Sequence, residues 1–264
     1  VALAVLPWYL VASRAARLGA TRGHISLADL LAERYRSRAL PVVTGAIAVL
    51  AFVQYMTLQI KGMAYVFNVM TQGLVPFWAG ALAAYGVVAV YALTVGFRAT
   101  AWSDVLQGAI MVALAWALGL ALPQILHGGI PEMFERISAE RPDFLLIGAP
   151  GSEMSATAYS SAVLVSAAGF AVWPHLFTKS YAASPRVIRR TVLAYPLFAV
   201  MLVPVLFIGF AGVGIVPPDT LGRPDRILPH LVTRELDLDG ALLGLIGAAA
   251  LAAAMSSADA ITHG

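Results

Sequence analysis

The chain has 264 residues, 60% of them hydrophobic and 12% charged, with a mean hydropathy of +0.82. Soluble domains carry about 25% charged and 45–50% apolar residues, so an ordinary soluble globule is excluded and the chain belongs in a bilayer. A formal charge of +3 is too small to argue for nucleic acid as a partner, and the lack of cysteine excludes disulfides and thiolate metal sites.

Residues 1–11, VALAVLPWYLV, are apolar from the outset, with neither an initiating Met nor the basic opening of a signal peptide. They read as the tail of a membrane span. The connection 12–41 follows, with Arg14, Arg17, Arg22, Arg34, Arg36 and Arg38. Within it SLADLLAERYRSR sets Ser26 three residues before Asp29, the spacing of a capping box that opens a short amphipathic helix. Apolar runs then occur at 42–64, 76–97, 102–126, 155–175, 191–216 and 240–261. A hydrocarbon core about 30 Å thick needs ~20 such residues in a helix, so the fold class is an all-α multi-pass membrane protein. The chain stops at ITHG directly after the last run. Both ends therefore predict a piece of a longer protein, residues 1–264 forming a partial transmembrane domain.

The loops alternate in basic charge. The 12–41 loop, Arg98 and the 176–190 loop (Lys179, Arg186, Arg189, Arg190) together hold eleven basic residues, against five in 65–75, 127–154 and 217–239. The positive-inside rule puts the first set in the cytoplasm.

Acids within spans are expensive and are functional candidates for that reason. Of fourteen acids two fall in spans: Asp104, in AWSDVLQG (101–108), and Asp259, in AAALAAAMSSADA (248–260). Ser256 lies sixteen residues into its span, about 24 Å at 1.5 Å per residue, which brings it and Asp104 toward the same cytoplasmic half. Ala253, Ser256 and Ser257 stand at i, i+3 and i+4 on one helix face. Hydroxyl and carbonyl oxygens without sulfur or imidazole suit a hard cation. Serines in membrane helices usually back-bond to the i−4 carbonyl or glue helices together, and on spacing alone these two suit that role as well. Gln54, Gln59 and Lys61 suit a polar path, or in the case of Lys61 snorkelling toward the interface. In GFAVWPHLFTKSY (169–181), Gly169 and Pro174 predict a broken helix near His175, which suits freed backbone groups facing a solute or an interfacial residue at a helix end. No P-loop, nucleotide fingerprint, nucleophile elbow or zinc helix is present. The chain is read as no enzyme.

LADLLAERYRSR, YALTVGFRATAWSDVLQG, WPHLFTKSYAASPRVIRRT and LAAAMSSADA, in that order, resemble stretches of the sodium:solute symporter family, which includes bacterial proline, pantothenate, monocarboxylate and sugar carriers. The resemblance implies a leucine-transporter-like fold of two inverted five-helix repeats, incomplete here, running from the end of core helix two to core helix eight. It implies that Ala253 offers a backbone carbonyl and Ser256 and Ser257 hydroxyl oxygens to Na⁺, with Asp104 close by supporting coupling by charge. The solute pocket is assigned to the 166–175 region, with Ser166, Gly169, Trp173 and His175. The implied activity is sodium-driven symport of a small organic solute, of the monocarboxylate or pantothenate kind, in a bacterial inner membrane. The alternative is a sensor input of a histidine kinase built on the same domain.

The loop asymmetry makes a testable topology. Because the chain has no native cysteine, single cysteines at Ser37 and Ser184 should react with impermeant thiol reagents only from the cytoplasmic side, and one at Ser138 only from outside. Labelling of Ser184 and Ser138 from the same face would contradict the span assignment.

Overall fold

The structure is a computed structural model that describes residues 5–94, 97–148, 154–217 and 226–262. Of the charges weighed above, Glu153, Asp219, Arg223 and Asp225 lie outside the described residues, as do the side chains of Arg98 and Asp259. Among the described residues there is no strand. The helices are α1 (Val5–Arg22), α2 (Leu27–Tyr35), α3 (Ala39–Met70), α4 (Phe77–Thr94), α5 (Phe97–His127), α6 (Ile130–Glu140), α7 (Ala156–Val172), α8 (Pro174–Ala182), α9 (Pro185–Ala211) and α10 (Gly240–Thr262). A short helical stretch at Ile227–His230 runs into a π-helical turn, Leu231–Glu235, before α10.

Among the described residues five stretches are long and apolar enough to cross a membrane: Ala39–Met70, Ala101–His127, Ala156–Ala182, Pro185–Ala211 and Gly240–Ala258. α4 is apolar over Phe77–Val90. The helices differ from the apolar runs at several ends, because polar residues continue a helix as readily as apolar ones. Thus α1 extends through the basic residues Arg14, Arg17 and Arg22 and stops only at Gly23, whose φ of 70° leaves the helix. The expected loop 12–41 is therefore largely helical. Likewise α6 lies inside the expected loop 127–154, an amphipathic helix burying Met133 and Ile137 at i and i+4.

The chain forms two compact units. The first is built from the described residues up to 55 and from 154 to 200. There α1 turns Trp8, Ala12, Ala15 and Ala16 inward, a single stripe at helical spacing. Trp8, Ala12 and Ala16 pack with Ile188 and Val192 of α9, and Ala15 with Phe177 and Tyr181 of α8. The box at α2 forms as its spacing predicts: the Asp29 N–H donates to Ser26 Oγ (3.2 Å), and the Ser26 N–H donates to Asp29 Oδ2 (2.9 Å). The Ile25 N–H also donates to that carboxylate and, ahead of the other causes, holds Asp29 below the usual carboxylate range.

The second unit comprises residues 56–151 and 201–262. Its main core joins Leu118 and Leu122 of α5, Met133 and Ile137 of α6, Ile208 and Ala211 of α9, Leu231 and Val232 of the π turn, and Ile246 of α10. A smaller cluster joins Met63 of α3, Ala84 and Val88 of α4, and Ala258 of α10. His127 at the end of α5 meets the Ala211 carbonyl at the end of α9, at 3.0 Å. That contact occupies one of the carbonyls that a helix C-terminus leaves unpaired. Lys61, on α3, is exposed and makes no ion pair among the described residues, which fits the snorkelling alternative.

Gly119 of α5 closely approaches Pro204 of α9. A Cβ at Gly119 would stand 2.6 Å from both the Cα and the carbonyl oxygen of Pro204, which are backbone atoms and cannot swing aside. Overpacking of this kind costs about 1–3 kcal/mol. Gly119→Ala should therefore lower the apparent unfolding temperature in detergent, whereas Gly108→Ala on the same helix, where a Cβ meets nothing within 4 Å, should leave it unchanged or raise it. Equal melting of the two variants would contradict this packing.

Candidate functional site

α10 is built almost wholly of Ala, Gly, Leu and Ile up to Met255, so its surface lets neighbouring helices approach closely. It packs against α5 and α4. Asp104 lies seven residues from the start of α5, and Ser256 lies six from the end of α10. The two helices run antiparallel, since Met111 to Leu118 of α5 share a cavity wall with Ala249, Ala250 and Ala253 of α10. This pairing brings together two polar features 152 residues apart in the chain.

The contact is direct. Ser256 Oγ donates to Asp104 Oδ1 at 2.7 Å, within the range of a charge-assisted O–H···O⁻ bond. Ser257, one position on, donates back to the Ala253 carbonyl at 3.3 Å, longer than the 2.5–3.0 Å typical of hydroxyl bonds, so that hydroxyl is loosely held. All four residues are half-buried. Two adjacent residues of α10 thus present hydroxyls, one bonded to a carboxylate and one to a carbonyl, and the four groups are all oxygen donors. That donor set fits a hard cation. No cluster of three or more His, Asp or Glu that could hold a metal exists among the described residues.

The 166–175 region takes a narrower form than expected. Ser166 and Gly169 sit inside the regular helix α7, and a Cβ at Gly169 would meet nothing within 4 Å. Gly169 is therefore no interruption. Only Trp173 leaves the helix, with φ −61° and ψ 123°, because the ring of Pro174 disfavours helical geometry in the residue before it. α8 begins at Pro174 with no side-chain cap.

Ser166, Gly169 and Trp173 line a single cavity of about 580 Å³, together with Thr44, Ala48 and Ala51 of α3 and Tyr195 of α9. Its size falls in the range of small-molecule pockets, about 300–1,000 Å³. His175 is not in the lining. Its ring packs 5.4 Å from Trp173 and 6.5 Å from Phe52, and its buried Nδ1 has no hydrogen-bond partner. Tyr55 meets Trp173 edge-to-face at 5.5 Å. The α3 contribution was missed in the sequence, although Thr44, Ile47, Ala48 and Ala51 fall at i, i+3, i+4 and i+7. The stripe is hidden because α3 is apolar nearly all round, so no polar face marks the opposite side.

The helices are those of a multi-pass membrane protein. The family model of the sodium:solute symporter family matches residues 1–263, and the chain belongs to that family. It is 32% identical over 236 residues to the uncharacterized symporter YhjB of Bacillus subtilis, covering 88% of this chain and 47% of the relative. It is 26% identical over 208 residues to the uncharacterized symporter YodF of the same organism (78% and 41%). A monocarboxylate transport permease protein of Rhizobium johnstonii is 27% identical over 196 residues (72% and 38%). The chain thus spans less than half the length of these relatives. None of the three is named as a sensor kinase, so the sensor alternative gains no support. No solved structure matches the chain.

The Ser256–Asp104 bond can be weighed by itself. In a double-mutant cycle of Ser256→Ala and Asp104→Asn, the two effects on stability should be non-additive by about 1–3 kcal/mol, the worth of a hydrogen bond to a charged group. Additive effects would separate the two side chains.

Proposed function

We propose that the full protein uses inward sodium flow to take up a small organic anion, with the oxygen cluster of α5 and α10 as its sodium site. The observation that supports this reading is the Ser256–Asp104 bond, with the Ser257–Ala253 bond at the adjacent position of α10 and all four residues half-buried. A sodium ion entering a dry site must receive from the protein the oxygens it gives up from water. Ser256 and Ser257 supply lone pairs, the Ala253 carbonyl supplies another, and Asp104 supplies negative charge that lowers the cost of a buried cation. Membership of a family named for sodium supports the choice of ion. The chain is read as part of a leucine-transporter-like inverted repeat, from the end of core helix two to core helix eight. Coupling follows if sodium binds one conformation better than the other, since a ligand shifts an equilibrium only by its differential affinity.

The cavity that Ser166, Gly169 and Trp173 line is the proposed solute site, with His175 acting through its packing on Trp173. No acid or base lines it, but the uncapped start of α8 lies at its wall through Trp173 and Pro174. Free N–H groups at a helix N-terminus receive a carboxylate without any basic side chain. A carboxylate solute is also in keeping with the Rhizobium relative, whose name gives monocarboxylate transport. The surrounding apolar wall suits a short organic tail.

Alanine has the best helix propensity, so Ser257→Ala should leave α10 intact and remove one ligand. In the reconstituted full-length protein it should raise the sodium concentration for half-maximal uptake at least ~10-fold, about 1.4 kcal/mol, with near-normal expression. Ser256→Ala should act in the same direction. If both variants lose stability and keep their sodium dependence, the hydroxyls serve packing alone and the ion site falls.

A further inference from the structure

The transport reading leaves unused the basic end of the unit that contains α1 and α2. There Arg22, in the last turn of α1, and His24, in the turn that follows, both pair with Glu33 of α2. A cavity of about 560 Å³ opens beside these three residues, lined also by Leu18, Leu30, Arg34 and Arg36. Its charge does not cancel. The one carboxylate in the lining is engaged by Arg22 and His24, whereas Arg34 and Arg36 pair with no carboxylate among the described residues. The His24 side chain is only 9% exposed, and its Nδ1 is buried without a hydrogen-bond partner.

The surroundings of this pocket are amphipathic. Leu27 and Leu30 of α2 pack inward on Ala15, Phe177 and Tyr181, yet α2 has no fully buried residue. Beside the arginines, Ile25 is 71% and Tyr35 63% exposed, and the Arg34 guanidinium lies 5.8 Å from the centre of the Tyr35 ring. Exposed aromatic and aliphatic side chains next to basic ones are what a membrane interface accommodates. A guanidinium offers a planar fork that matches phosphate oxygens, and basic pockets beside membrane helices attract anionic headgroups.

We propose that this pocket binds the phosphate of an anionic phospholipid headgroup at the membrane surface. Arg34 and Arg36 hold the phosphate, Arg22 and His24 keep Glu33 from repelling it, and Tyr35 and Ile25 lie against the lipid. A free phosphate would use the arginines but gain nothing from the two apolar side chains, which is why the lipid is favoured.

The test uses thermal unfolding of the purified full-length protein in detergent, titrated with phosphatidylglycerol, phosphatidylcholine or inorganic phosphate. Phosphatidylglycerol should stabilise the protein well beyond phosphatidylcholine, and inorganic phosphate should not match it. In the double variant Arg34→Gln and Arg36→Gln, the phosphatidylglycerol concentration for half the effect should rise about 10-fold or more. Arg14→Gln with Arg17→Gln, outside the pocket, should leave it unchanged. An unchanged response in the first double variant would overturn the proposal, and so would inorganic phosphate matching the lipid. Should that variant fail to fold, photoactivatable phosphatidylglycerol on the unaltered protein decides instead. Cross-links within residues 18–36 are expected, and cross-links confined to other segments overturn the site.

Discussion

A carboxylate within a membrane helix must be given donors or its burial is prohibitively costly, and that constraint organises the α5–α10 pair. Asp104 receives its donor from Ser256 across the helix contact. Setting that bond requires α10 to approach α5 closely and in one register, which its alanines permit. The two readings open to the serines in sequence turn out to share the same atoms. Ser256 joins two helices and Ser257 back-bonds to its own helix, as serines in membrane helices commonly do. Yet a hydroxyl that donates its proton still presents lone pairs. Gluing helices is therefore compatible, in one arrangement, with the proposed offer of oxygens to a cation.

The break at Trp173 follows from an equally local cause with a wider consequence. Proline removes one backbone donor and pushes its predecessor out of helical geometry. The apolar segment Ala156–Ala182 is thereby divided into α7 and α8. The released Trp173 ring is then free to meet Tyr55 and His175, and the start of α8 is left without a side-chain cap beside a cavity. An aromatic cluster and a helix N-terminus at one wall both trace back to a single residue, Pro174.

α2 shows how a helix can stay at a surface while being firmly placed. The reciprocal bonds of Ser26 and Asp29 fix where it starts, and Leu27 and Leu30 fix which face turns inward. Arg34, at i+7 from Leu27 and i+4 from Leu30, follows on that face and shares with Leu30 and Glu33 the wall of the basic cavity, while Arg36 caps the helix in a left-handed conformation. The electrostatic character of that end therefore follows from the hydrophobic anchoring of two leucines.

Much of this protein was legible from residue order alone, because it depends on short-range chemistry. A bilayer demands long apolar runs, and such runs are visible in residue order, though not that α1 would continue through three arginines. Ser26 and Asp29 announced the start of α2, and Pro174 announced a break, since capping and proline sterics act within four residues. The helical face shared by Ala253, Ser256 and Ser257 was likewise a matter of 3.6-residue periodicity. Only the tertiary structure decided which oxygen Ser256 would meet, that Gly169 would remain ordinary helix, and that Thr44, Ala48 and Ala51 of α3 would share a cavity with α7. The first and last of those outcomes depend on pairing between segments more than a hundred residues apart. An apolar helix with no polar face does not say which neighbour each of its sides will choose.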